Sequence, residues 1–214
     1  MNATSVSLSH GTTELLVVAA NLNSEHSINL AQLTGVVKPI FEQLAPHLQR
    51  QRQVLYIRDI PAYTIQNKIP GGNAYTPEEA TIALPAWEDF TETQRTLLRA
   101  AVAHELHHLA RWQQVGYGST LGGAIASEGL ATLYEESVSE WKPPWSKGSI
   151  SSDAWREIKS HWNRKDYSHK QWFHSGNQLG YLAGYLLAKR FFTQGFDLAT
   201  SCKLADKEFY VIIP

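Results

Sequence analysis

Three histidines and a glutamate fall within five positions of AVAHELHHLA, residues 101–110. His104 and His108 are four apart, so on a helix they project from adjacent turns of one face and their imidazoles converge on a single ion. Glu105 is displaced around the axis. It is too far round to be a third ligand, yet it can reach a water held by the metal, which is the role of a general base. His107 lies about 100° around the axis from His108, which gives it a place outside the ligand set, behind it or exposed.

A catalytic metal needs a third protein ligand. In the segment GYGSTLGGAIASEGLATLYEESV, nineteen residues separate His108 from Glu128. Ser119 or Thr120 can cap a second helix there. With the two helices antiparallel about the turn from Gly116 to Gly118, a rise of 1.5 Å per residue sets the histidine pair roughly 10 to 17 Å below the turn and Glu128 about 12 Å below it. All three side chains come level. Two histidines and a carboxylate leave a fourth tetrahedral position for water, the signature of a catalytic zinc site, with one Zn2+ per chain.

The elements that must hold these side chains are legible around them. Thr91 caps the first helix, Gln94 completes a capping box, and Gly116 stops it after Val115. Leu97, Leu98, Ala101, Val102, Leu109 and Trp112 surround the His/Glu group, so the helix is expected to be buried on more than one side. Upstream, ELLVVAAN and QVLYIRD have the composition of strands. Residues 29–49 carry Val37, Ile40, Phe41, Leu44 and Leu48 at helical spacing, with ends blurred by Pro39 and Pro46. KIPGGNAYTPEEATIALP reads as a small antiparallel sheet ending in the extended run Ala80 to Leu84. The expected fold is α+β: one domain over residues 1–214, with an α/β lobe over about 1–90, a helical lobe over about 91–214, and the active-site helix between them.

Composition narrows the setting. Nineteen basic against twenty acidic residues leave no field to recruit nucleic acid or an anionic membrane surface. Cys202 is the only cysteine, which excludes a disulfide within the chain and a thiolate zinc cage. It reads as a small buried apolar residue. The N-terminal stretch lacks a basic region and its apolar run, Leu15 to Ala20, is too short for a signal sequence or a span. A cytoplasmic protein is the expectation.

HELHH followed by SEGLA resembles the gluzincin metallopeptidases, whose thermolysin-like members use H-E-x-x-H, nineteen residues, then glutamate. HELHHLAR, STLGGAIASEGLA and the later GYLAGYLLAKRF resemble a bacterial family of small predicted zinc-dependent proteases of unknown function, over most of residues 65 to 195. The resemblance implies a zincin-like fold, His104, His108 and Glu128 as ligands, and Glu105 as the base. Where the thermolysin-like pattern has an aspartate four residues past the glutamate ligand, this sequence has Thr132. Some other group must then orient an imidazole. Glu135, on the face of Glu128, is the candidate; a solvated helix-surface carboxylate is the alternative.

Similar enzymes draw an oxyanion donor from the later helical part, which here offers His174, Tyr181 and Tyr185, with Tyr181 first and His174 second. Gly180 and Gly184 in LGYLAGYLLAKRFF would let another helix approach closely. In gluzincins the sheet edge beside the cleft pairs with an extended peptide, a part that Ala80 to Leu84 could play here.

Five tryptophans between residues 141 and 172 read as core, with an aromatic wall of the cleft as the alternative. From Trp141 to His174, seven Lys/Arg stand against three Asp/Glu; bordering the cleft, they would favour acidic substrates. The function expected is a zinc-dependent metallopeptidase acting on a peptide or protein, with Glu105 taking a proton from zinc-activated water. The alternatives are a zinc-binding regulatory or interaction module without turnover, which Glu105 argues against, and a metal-free helical protein.

Overall fold

In the computed structural model, which describes residues 3–20, 28–65, 68–175, 178–193 and 197–214, the chain begins with a β-hairpin. Strands β1 (Ala3–His10) and β2 (Thr13–Ala20) pair antiparallel about a turn in which Gly11 takes φ 59°. The alternation of β2 buries Leu15, Val17 and Ala19 on one face.

Helix α1 (Leu30–Leu44) starts at Asn29, which forms a capping box with Gln32. Pro39 lies inside the helix and Pro46 in the short 3-10 turn that follows. Its buried face, Leu33, Val36, Val37, Ile40, Phe41 and Leu44, covers the sheet. This crossover returns the chain to strand β3 (Arg52–Asp59), parallel to β2.

Strands β4 (Gly71–Ala74) and β5 (Glu79–Leu84) form a second hairpin, and β5 lies parallel to β3. The order is β1-β2-β3-β5-β4. Two expectations are corrected here. The antiparallel pairing expected within residues 68–85 is present as β4 and β5, but it is one side of a mixed five-stranded sheet, because α1 carries the chain over the sheet. The run Ala80 to Leu84 is an interior strand flanked by β3 and β4, so it has no free edge. Its near-continuous burial reflects partners on both sides. The edge is β4.

Helix α2 (Glu92–Val115) has the Thr91 and Gln94 capping box and stops at Gly116, with φ 86°. Its 24 residues contain neither Gly nor Pro. Leu98, Val102, Leu106 and Leu109 enter the core beneath the sheet. Helix α3 (Leu121–Ser139), capped by Thr120, folds back along α2 and is buried over most of its length.

Three further helices complete the lower lobe: α4 (Ser152–His161), α5 (Leu179–Phe192) and α6 (Asp206–Tyr210). A second core forms around α3 and α5, with Trp155, Trp162 and Trp172 among its residues. The close crossing expected of α5 uses only one of its glycines. A Cβ on Gly184 would come within 2.2 Å of the Ile125 carbonyl oxygen and one on Gly129 within 2.1 Å of the Gly184 carbonyl carbon, so two backbones touch there. Gly180 faces the ring of Phe173 instead. Among the described residues, no helix is long and apolar enough to cross a membrane.

Candidate metal centre

His104 and His108 sit mid-way along α2, and Glu128 two turns into α3. The turn between the helices brings one donor atom of each to within 4.8 Å of the others. The two Nε2 atoms are 3.0 Å apart. Glu128 places Oε2 3.2 Å from Nε2 of His104 and Oε1 3.5 Å from Nε2 of His108.

The opposite edge of each ring meets an oxygen, and the Glu135 carboxylate, which only accepts, sets the tautomer of His104. Glu135 Oε2 stands 2.7 Å from Nδ1 of His104, and Ser127 Oγ lies 3.4 Å from Nδ1 of His108. With both Nδ1 atoms donating outward, both Nε2 lone pairs and a carboxylate point at one place. Three converging acceptors repel one another unless a cation lies between them. The donor set therefore fits a divalent metal such as zinc, which takes neutral imidazoles and a carboxylate.

The electrostatics of the chain itself agree. Burial pushes the His104 imidazolium down, but Glu135 and Glu128 together raise it well above the usual range. Burial raises Glu128 too, yet the histidines hold it well below an ordinary carboxylate. Positive charge at this position, proton or metal, is what the carboxylates stabilise.

Glu105 faces the same space from the next position of α2. Burial raises its carboxyl to about 8, with His104 opposing and Glu128 and Glu135 adding to the rise. Its Oε2 is buried and, among the described residues, has no hydrogen-bond partner. The backbone of β4 closes over it: a Cβ on Gly72 would come within 2.3 Å of Oε1. The edge strand and the glutamate are thus in contact.

His104, Glu105, His108, Glu128, Glu135 and Gly72 line one cleft of about 1000 Å³ between the sheet edge and the helical lobe. Tyr181 and His174 line it too. Tyr181 is half-buried among Trp145, Phe173 and His174, with ring centroids 5.0, 5.2 and 6.4 Å away, and burial together with the three glutamates raises its phenol well above the usual value. His174 is exposed, at the end of a π-helical turn. Tyr185 does not line the cleft; its hydroxyl donates to Glu136 Oε2 at 2.6 Å.

His107 is not exposed. It is fully buried, with Nε2 3.0 Å from Ser201 Oγ and its ring 5.5 Å from that of Tyr134. Burial, His108 and Arg111 keep it neutral. It ties α2 to the C-terminal segment. Of the tryptophans, Trp155, Trp162 and Trp172 are core, while Trp141 and Trp145 wall the cleft. No Lys or Arg of the 141–174 segment is among the described lining residues, so that local excess of charge does not border the cleft.

Tyr117, which the sequence reading passed over, stands nearest the ligands. Its hydroxyl donates to Glu128 Oε1 at 2.7 Å and its ring packs on His108, 5.0 Å between centroids. The signal for it was an aromatic residue in GYGST, the turn that joins the two ligand-bearing helices. His169 is a second lining residue that no spacing marked.

The model of one family, described as Predicted Zn-dependent protease (DUF2268), matches residues 54–210. The chain belongs to this family. The DUF2268 match begins in β3 and runs to the end of α6, so it covers β4, the whole metal centre and the helical lobe; β1, β2 and α1 lie outside it. No curated protein matches the chain.

Proposed function

We propose that the protein is a zinc-dependent peptidase of the gluzincin type, holding one zinc per chain on His104, His108 and Glu128 and hydrolysing peptide bonds in the cytoplasm. The observation that carries this reading is the joint convergence on one cleft of three metal donors, a buried glutamate whose Oε2 has no partner among the described residues, and an edge strand that pairs on one side only among the described residues. The family's description supports the metal and the protease class.

A bound zinc ion supplies Lewis-acid chemistry, lowering the pKa of water and polarising a carbonyl. The residues supply the rest. Glu105, held in a site that raises its proton affinity, takes a proton from the attacking water and delivers it to the leaving amine. A peptide aligned along β4 pairs its backbone with the strand's unused N–H and C=O groups, which sets the scissile carbonyl beside Glu105. Tyr117, Tyr181 and His174 are the donors that can meet the oxyanion. Tyr181 has the strongest claim, since the single O–H of Tyr117 is already donated to Glu128.

The test pairs metal analysis with cleavage of a mixed peptide library by wild type and Glu105→Gln. Zinc near one per chain in both, with cleavage at least about 100-fold slower in the variant, is expected. Equal cleavage by both proteins would overturn the mechanism. Zinc without cleavage by wild type would favour a binding module on the same fold.

A further inference from the structure

Among the described residues lining the cleft there is one Lys or Arg, Arg58 near the end of β3. The walls are otherwise aromatic, apolar, neutral polar, acidic or histidine, so among the described lining residues this permanent cation stands alone. Its Nε is buried and, among the described residues, has no hydrogen-bond partner. The guanidinium lies over the ring of Tyr56, 4.5 Å from the centroid. That packing holds the side chain in place without occupying its in-plane N–H groups, which are the ones that grip a carboxylate.

The register of the sheet defines what this cation faces. Arg58 pairs with Ala83 and Ala83 with Gly71; one step along, Tyr56 pairs with Thr81 and Thr81 with Asn73. Cross-strand partners share a face, so both rows lie on one side of the sheet. Leu55, Ile57, Ala80 and Ile82 face the core on the other. The Gly71 row is covered near the edge, because a Cβ on Gly71 would come within 2.0 Å of the Tyr63 carbonyl oxygen. The Thr81 and Asn73 row holds only short polar side chains, and Arg58 leans into it by stacking on Tyr56.

The geometry points to Arg58 as a specificity-determining residue that binds a carboxylate of the substrate, across Thr81 and Asn73, from a chain lying along β4. The identity of the occupant, an extended peptide, rests on the peptidase reading. Strands about 4.8 Å apart put the Arg58 Cα about 14 Å from such a chain. Swung from its stack on Tyr56 and extended across the sheet, the arginine side chain has a reach of about 6 Å and a glutamate about 4 Å, leaving about 4 Å between them, an ion-pair distance. Alternate side chains of the peptide point to this face. Asn73 is one residue from Gly72, which touches Glu105, so the carboxylate belongs one or two residues from the bond cleaved. The same chemistry could come from an acidic side chain or from the peptide's own C-terminus.

Binding distinguishes these sources without relying on turnover. Zinc-loaded Glu105→Gln protein, with and without Arg58→Gln or Arg58→Glu, is titrated with labelled alanine-based peptides. One set is capped at both ends and carries Glu, Gln or Lys at successive positions; the other lacks acidic side chains and ends in a free acid or an amide. The expected result is about tenfold tighter binding of Glu over Gln peptides, lost in Arg58→Gln and turned toward Lys in Arg58→Glu. The same preference for free acid over amide, lost in the same way, would assign the C-terminal carboxylate as the source. Zinc content and melting temperature confirm that each variant is folded. Preference that survives Arg58→Gln, no preference in its presence, or no binding of any peptide would overturn the inference. Carboxylate-dependent binding without cleavage by wild type would overturn the peptidase reading alone.

Discussion

Glu135 approaches Nδ1 of His104 to 2.7 Å from three residues beyond Thr132 on the same helix. It fills the orienting role for which Thr132 has no carboxylate. A hydrogen-bonded carboxylate makes the imidazole a better ligand and fixes its tautomer. Glu135→Gln should therefore keep the fold but weaken zinc binding by about 10- to 100-fold, read by competition with a chelator of known affinity. Unchanged affinity would show that His104 is oriented by its helix alone.

Gly72 and Glu105 give a second prediction. The atom that an added Cβ would strike is the end of a flexible side chain, Oε1 at 2.3 Å. Gly72→Ala should therefore displace Glu105 rather than unfold the chain. Turnover should fall by about 100-fold, with zinc content and melting temperature near wild type. A variant as active as wild type would mean that β4 is farther from the base during the reaction.

The crossing of α3 and α5 behaves differently, since the obstacles at Gly129 and Gly184 are backbone atoms. Gly184→Ala should lower stability by about 3 kcal/mol, the upper end for overpacking, measured by urea unfolding. Because Gly129 adjoins Glu128, zinc should be held more weakly as well. A loss below about 0.5 kcal/mol, the range of an ordinary surface change, would show that the helices separate at little cost.

Cys202 is fully buried, and burial raises its thiol to about 11. The folded state then holds the proton more tightly than the unfolded state. Its contribution to stability is complete below the unfolded value of 9 and is lost as pH rises from 9 toward 11. At pH 8, alkylation by iodoacetamide should be slow in the native protein and fast in urea. Equal rates would place the thiol at the surface.

How much was legible follows from the range of the forces involved. The extent of α2 was written in Thr91, Gln94 and Gly116, because capping is local. The three donors were written in spacing, because two helices joined by a short turn have few ways to align. Those positions, and the α+β division into a sheet lobe and a helical lobe, came from the sequence by itself.

Tertiary structure decided the rest. Parallel pairing of β3 with β2 and β5 depends on where α1 packs, and a strand's own pattern does not state its neighbours; Ala80 to Leu84 was thus legible as a strand but not as an interior one. Glu135 and Glu136 differ by one position on α3, and only the packing of α2 turns Glu135 to His104 while Tyr185 takes Glu136. Arg58 reaches the cleft from 46 residues before His104, through sheet register alone. Spacing encodes what one helix or one turn can bring together; contacts between distant elements exist only once the core has set them side by side.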